Sequence, residues 1–257
     1  MLRHVRIGGV KVATASRAEL TKAMAADCLA RSTAGHPARP LLVFDANGQG
    51  ISLAARDDAY RAALDQADLI HADGGFIVTV SRWLAGARIA ERSATTDLFH
   101  DFAAAAEVSG LSFYLLGGME EVNFRCAERL RELYPRLRLA GRRNGYFDSG
   151  QINAVIEAIN DAAPDLLWIG LGKPREQLFA ADNAGRFRAG WAITCGGCFD
   201  YVAGNYRRAP RWMQRLNLEW LFRALTERRL FWRYLVTSPH ALWLTMTRAD
   251  RRIDEGA

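Results

Sequence analysis

The 257 residues, half of them hydrophobic and 24% charged, exclude a disordered chain and suit one α/β domain with an extension, or two small domains. Four scattered cysteines exclude a dense disulfide framework, and neither a signal-peptide core nor an 18-residue apolar run is present, so a cytoplasmic protein that crosses no membrane is expected. The net charge of +6 is carried almost wholly by arginine, the only lysines being Lys11, Lys22 and Lys173, and it suits nucleic acid, anionic lipid or a diphosphate-bearing substrate.

The alternation over residues 5–15, around Gly8-Gly9, predicts a hairpin. Ser16 and Glu19 have capping-box spacing and open a helix over 17–30. Residues 32–40, with Gly and two prolines, read as a loop. Short apolar runs then recur at 41–44, 68–71, 112–116, 137–140, 166–169 and 191–195. Helical periodicity lies between several of them, at 96–109, 120–134, 151–162 and 175–183. Continuous apolar strands separated by helices predict a largely parallel, Rossmann-like α/β sheet with helices on both faces. In such sheets ligands bind at the carboxyl ends of the strands.

Those ends carry the candidate chemistry. The run 41–44 leads into Asp45-Ala46-Asn47-Gly48, and 68–71 leads into Ala72-Asp73-Gly74-Gly75. A carboxylate at Asp73 can take a proton from a hydroxyl or bind a sugar; a turn aspartate before glycine looks the same. Asn47 can donate to and accept from sugar hydroxyls, or cap the following helix. The run 112–116 leads into Gly117-Gly118, and 166–169 into GLGKPREQ, Gly170 to Gln177. There Lys173 and Arg175 are candidates to hold phosphate, and Glu176 and Gln177 to contact sugar or base. Neither a Walker A loop nor a G-x-G-x-x-G fingerprint is present. The C-x-x-C string Cys195 to Cys198 lacks a second Cys/His pair, so two small buried residues around a glycine turn are favoured over zinc or redox chemistry. His71, near Asp73, reads as a core or supporting residue. With no D-x-D pair at a strand end, no metal and no cofactor are expected.

The pattern changes after Gly204: residues 205–252 hold 11 arginines, three acids and four tryptophans. Pro210 suits a helix start, and 217–225 and 230–246 are helical candidates. The expected organisation is an α/β core over 1–204 and a basic helical appendage over 205–257.

Taken in order, these strings resemble the WecG/TagA/CpsF family of glycosyltransferases. They are Asn47, Asp73-Gly74, the segment Arg92 to Leu98 with Asp97, Gly117-Gly118, Tyr134-Pro135 and Gly145-Tyr146-Phe147. Gly170 to Gln177, with Gly172 and Pro174, follows; then Gly197 to Asp200, Arg208-Ala209-Pro210 with Trp212, Leu218 to Arg223, and Arg233-Tyr234. The resemblance covers about residues 5–240. It implies an inverting transfer from a UDP-sugar, of the UDP-N-acetylmannosamine kind, hexose or uronic acid, to a sugar on a polyprenyl diphosphate in surface polysaccharide synthesis. It implies Asp73 as the base and places Asn47, Gly74, Arg92, Asp97, Gly117, Gly118, Gly172, Pro174, Glu176, Gln177 and Asp200 at the substrates. It implies that Arg208, Arg223 and Arg233 of the appendage reach the active site. It also implies peripheral contact with the inner face of the cell membrane, and a tendency to self-associate. The family's Gln-Glu order is reversed here as Glu176-Gln177. Two other readings of the charge and the sheet remain, a nucleic-acid-binding module and a nucleotide-dependent oxidoreductase; the missing RNA-binding aromatic strings and glycine fingerprint count against them.

Overall fold

A computed structural model describes residues 2–34, 39–84, 88–206, 208–210, 212–213, 219–226, 228–248 and 253–254. Side chains at 34, 84, 220, 223, 224, 226, 228–230, 233, 234, 253 and 254 lie outside that description. The chain opens with the hairpin expected: β1 (His4–Ile7) and β2 (Val10–Ala13) pair antiparallel across Gly8 and Gly9, whose φ values of 60° and 85° suit a tight hairpin turn. A short β9 (Ile253–Asp254) adds to β1. Helix α1 (Arg17–Ala34) starts at the Ser16/Glu19 capping box, in which each side chain accepts the other's backbone N–H at 3.3 and 2.8 Å. It runs to Ala34, beyond the expected end at 30, and residues 35–38 of the expected loop lie outside the described ones.

Six parallel strands form the main sheet. They are β3 (Leu41–Ala46), β4 (Leu69–Ala72), β5 (Ser112–Gly117), β6 (Arg138–Arg143), β7 (Leu166–Gly170) and β8 (Trp191–Thr194), in the order β4-β3-β8-β7-β5-β6. All but the edge strand β6 are buried nearly throughout, which explains their unbroken apolar runs. β6 extends to Arg143, past the expected end at 140, because an edge strand pairs its backbone without needing apolar side chains. Alternate residues enter opposite cores: Leu42 and Phe44 point one way with Ile169, Val43 the other with Trp168, Phe99 and Phe113.

The expected helices form as α5 (Thr95–Ser109), α6 (Glu120–Leu133), α7 (Ile152–Ala162) and α8 (Arg175–Asp182). Four further helices lie outside the expected ones: α2 (Gly48–Ala54), α3 (Asp58–Asp65), α4 (Gly75–Leu84) and α9 (Cys198–Val202). Helix α2 has two glycines in seven residues, a composition that opposes a helix in isolation. Packing reverses the balance: a Cβ at Gly48 would meet Phe76 at 3.3 Å, and one at Gly50 would meet the Tyr60 hydroxyl at 3.1 Å. At the C-terminus, α10 (Glu219–Thr226) is followed by α11 (Arg228–Thr247). Ala241 and Leu244 of α11 are fully buried in the core shared with α2, and His240 Nδ1 lies 2.9 Å from Ser52 Oγ. Residues 211 and 214–218, where helix starts were expected, lie outside the described ones. Among the described residues no helix is long and apolar enough to cross a membrane.

Candidate active site

From β3 the chain steps outward to the edge strand β4, then crosses to the far half of the sheet at β5. Connections that leave in opposite directions open a crevice above the carboxyl ends of the strands. Here that crevice is lined by Asp45, Asn47, Asp73, Arg92, Lys173 and Glu176, with Thr95, the Gly172 and Gly196-Gly197 turns, Cys195, Cys198, Tyr201 and Glu219 around them.

Asp73 follows β4 and faces the cleft, its side chain 24% exposed. Its Oδ1 accepts the Thr95 N–H at the start of α5 at 3.0 Å, and its Oδ2 accepts from Asn47 Nδ2 at 3.3 Å. Burial pushes this carboxyl up. The nearby Arg92 guanidinium and the Thr95 N–H outweigh it and hold the group below its ordinary value, so it is ionised at neutral pH. Arg92 Nε donates to the Asp73 carbonyl at 2.7 Å, which fixes the guanidinium beside the carboxylate. Behind Asp73, His71 is fully buried with Nδ1 2.9 Å from the Ser93 carbonyl, and burial lowers its pKa, favouring the neutral ring.

Asn47 unites its two expected readings. Its Oδ1 caps α2 by accepting the Gly50 N–H at 3.0 Å, and its Nδ2 donates to Asp45 at 2.9 Å and reaches Asp73. Lys173 turns inward and pairs with Asp45, its side chain only 6% exposed. Arg175 lies over the Phe147 ring at 4.8 Å and donates to the Phe147 carbonyl. Glu176 is fully buried; its Oε2 accepts the N–H groups of Gly172 and Gly196 at 3.0 and 2.9 Å and so joins the turns after β7 and β8. Gln177, also fully buried, donates to Glu176 and Thr194.

The cleft therefore gathers Asn47, Asp73, Arg92, Gly172, Lys173 and Glu176 from the sequence candidates. Gly74 and Pro174 sit beside it in the same turns, and Gln177 in the first turn of α8. Gly117 and Gly118 lie at the end of β5, where Gly118 N donates to the Gly170 carbonyl at 3.1 Å. Asp97 binds Arg208 and Arg17 at the rim, at 2.6 and 3.2 Å. Asp200 holds Asn205 after α9. Arg208 Nε also binds Glu219 at 3.0 Å, and Glu219 in turn accepts from Arg92 at 2.8 Å. The side chains of Arg223 and Arg233 lie outside the described ones. Sequence reading missed Asp45, Thr95 and Glu219. Their roles depend on partners distant in the chain, although Asp45 does end a buried strand. All four cysteines are free and buried, and burial pushes the Cys195 and Cys198 thiols well up, away from reactive thiolates. Among the described residues no group of three or more His, Cys, Asp or Glu side chains is placed to hold a metal ion.

Comparison with known proteins places this cleft in context. Residues 5–254 match the model of the glycosyl transferase WecG/TagA/CpsF family. A relative from Bacillus subtilis strain 168 is 32% identical over 172 residues, 67% of this chain and 66% of its own length. One from Bacillus spizizenii is 31% identical over 72% of this chain and 71% of its own, and one from Staphylococcus aureus strain MRSA252 is 29% identical over 73% and 72%. Each of the three is named N-acetylglucosaminyldiphosphoundecaprenol N-acetyl-beta-D-mannosaminyltransferase.

Proposed function

From the premise that this chain belongs to the WecG/TagA/CpsF glycosyl transferase family, we propose that it moves a sugar from a UDP-sugar to a sugar carried on a polyprenyl diphosphate, inverting the anomeric centre. The observation that carries the reading is Asp73: an ionised carboxylate at a strand end, open to the cleft, with Arg92 fixed beside it. An acceptor hydroxyl attacks the anomeric carbon and Asp73 takes its proton; the bond to the UDP oxygen breaks and UDP leaves with the electron pair. General-base help of this kind contributes about 10²–10⁴-fold. Arg92 and Arg208, both bound to Glu219, are the cations that this reading assigns to the departing diphosphate. The family resemblance assigns Arg223 and Arg233, in the stretches of α10 and α11, to the same role. The relatives' names supply the acceptor class and the N-acetylmannosamine kind of donor. The segment 205–257 acts in this reading as an appendage that walls the active site and rests on the inner face of the membrane.

The test is UDP release by purified protein from a panel of UDP-sugars, with and without a short lipid-diphosphate-linked sugar. Acceptor-dependent release is expected with one donor, and Asp73→Ala should lower kcat by about 10²–10⁴-fold while the circular dichroism spectrum is retained. Near-normal turnover by that variant would remove Asp73 as the base.

A further inference from the structure

Four side chains on the cleft floor form one connected chain: Lys173, Asp45, Asn47 and Asp73. The orientation of Asn47 is fixed by the fold. Its Oδ1 is held by the Gly50 N–H, so the amide nitrogen must face the carboxylates, and it reaches Asp45 Oδ2 at 2.9 Å and Asp73 Oδ2 at 3.3 Å. An amide NH₂ has two protons, and two carboxylates take them. Two carboxylates sharing one donor repel, and each favours protonation of the other. Asp45 is the inner of the two, 4% exposed, and Lys173 is packed against its other oxygen. The cation balances the Asp45 carboxylate in a buried place and shields Asp73 from it. Asp45 also anchors Asn47 from below, while Asn47 holds the outer carboxylate from the side opposite Thr95.

We propose that Lys173 and Asp45 are positioning residues for Asp73: the buried ion pair anchors Asn47, and Asn47 aims the Asp73 carboxylate and keeps it in its proton-accepting form. Only the use to which Asp73 is put rests on the glycosyltransferase reading; the connected chain does not. The other groups that face Asp73 are Arg92 before α5, His71 on β4 and Cys198 on α9, with Glu219 of α10 on the far side of Arg92. All four remain in place in the variants below.

The test follows the Asp73 carboxyl carbon by NMR in full-length protein labelled at aspartate Cγ, the resonance being assigned by its loss in Asp73→Asn. Lys173→Met should raise the Asp73 midpoint by about one pH unit, because Asp45 is left as an uncompensated neighbour. Asn47→Ser keeps an oxygen for the α2 cap and removes the shared amide, and it should raise the midpoint as well. The double variant Asp45→Asn/Lys173→Met, which removes both charges and retains a group that accepts from Asn47, should bring the midpoint back toward wild type and fold even where Lys173→Met does not. Where turnover is measured, the two single variants should lower kcat roughly 10- to 100-fold with UDP affinity changed less than about threefold, and the acid limb of kcat/KM should move with the NMR midpoint. Midpoints unmoved in both single variants, or a double variant as displaced as Lys173→Met, would overturn the proposal. So would an Asn47→Ser protein that loses UDP affinity with its Asp73 midpoint unmoved. Failure of every UDP-sugar to turn over would count against the glycosyltransferase reading alone, since the NMR titration needs no donor.

Discussion

Glu176 shows how a single buried group can register pH. It has no exposed surface, and Lys173, 3.8 Å away, is committed to Asp45. Burial therefore prevails over the attraction of that lysine and the Gly196 N–H, and the carboxyl is pushed up to about 6 from its ordinary 4.5. A pKa raised on folding means that the folded state holds the proton more tightly. The favourable contribution is complete below pH 4.5 and is lost as pH rises through about 6. At about 1.4 kcal/mol per pH unit, the loss is about 2 kcal/mol. Urea unfolding at pH 4.5 and at about pH 8 should show wild type losing about 2 kcal/mol more than Glu176→Gln over that interval. Parallel pH dependences in the two proteins would mean that Glu176 does not titrate there. The same residue bears on the reversed Glu-Gln order: its carboxylate satisfies two backbone N–H groups, from Gly172 and Gly196, with one oxygen. An amide oxygen would hold them more weakly.

At the scale of elements, the floor of the cleft depends on how closely the strand ends stack. Gly117 ends β5 with φ of 140°, and a Cβ there would lie 2.2 Å from the Gly170 carbonyl oxygen on β7. Gly172 also has positive φ, 76°, yet a Cβ there meets nothing within 4 Å. The two glycines separate backbone strain from steric exclusion. Gly172→Ala should cost about 1–2 kcal/mol, the conformational penalty alone, and Gly117→Ala about 3 kcal/mol or more, because two backbones must part. Thermal unfolding of both variants checks the order; equal losses would show that the β5–β7 contact yields easily. Such strand ends were legible in the sequence because parallel strands buried on both faces leave unbroken apolar runs, and glycines mark where they stop. Asp73 and Asn47 were legible for the same reason. The Lys173–Asp45 pair was not: the partners are 128 positions apart, and only the pairing of β3 and β7 with β8 between them brings them together. Glu219 reaches Arg92 across 127 positions in the same way. Helices α2 and α9 were hidden because glycine content and shortness erase periodicity, and packing decides them.

For the molecule as a whole, α11 links the cleft to a surface of different character. One side of this helix buries Ala241 and Leu244 against α2, the helix that Asn47 caps on the cleft floor. The opposite side exposes Trp232, Leu235, Val236, Trp243 and Met246, each more than half exposed, at spacings that place them on one stripe. Trp83, 81% exposed, stands on the neighbouring α4. Apolar side chains in such a stripe gain by entering a lipid interface, tryptophan favours that interface, and the chain's net charge of +6 adds attraction to anionic headgroups. The proposed membrane contact follows from that stripe and not from charge alone. Sedimentation with vesicles containing anionic lipid should show binding that falls only partly as salt is raised, because salt screens the arginines and leaves apolar transfer intact. Trp232→Glu/Trp243→Glu should weaken binding by roughly 100-fold, the loss of about 1.5 kcal/mol at each site, while UDP release from a water-soluble acceptor stays close to wild type. Undiminished binding by that variant would place the membrane contact elsewhere. A parallel loss of turnover on the soluble acceptor would mean that the stripe serves the cleft through α2 and not the lipid surface.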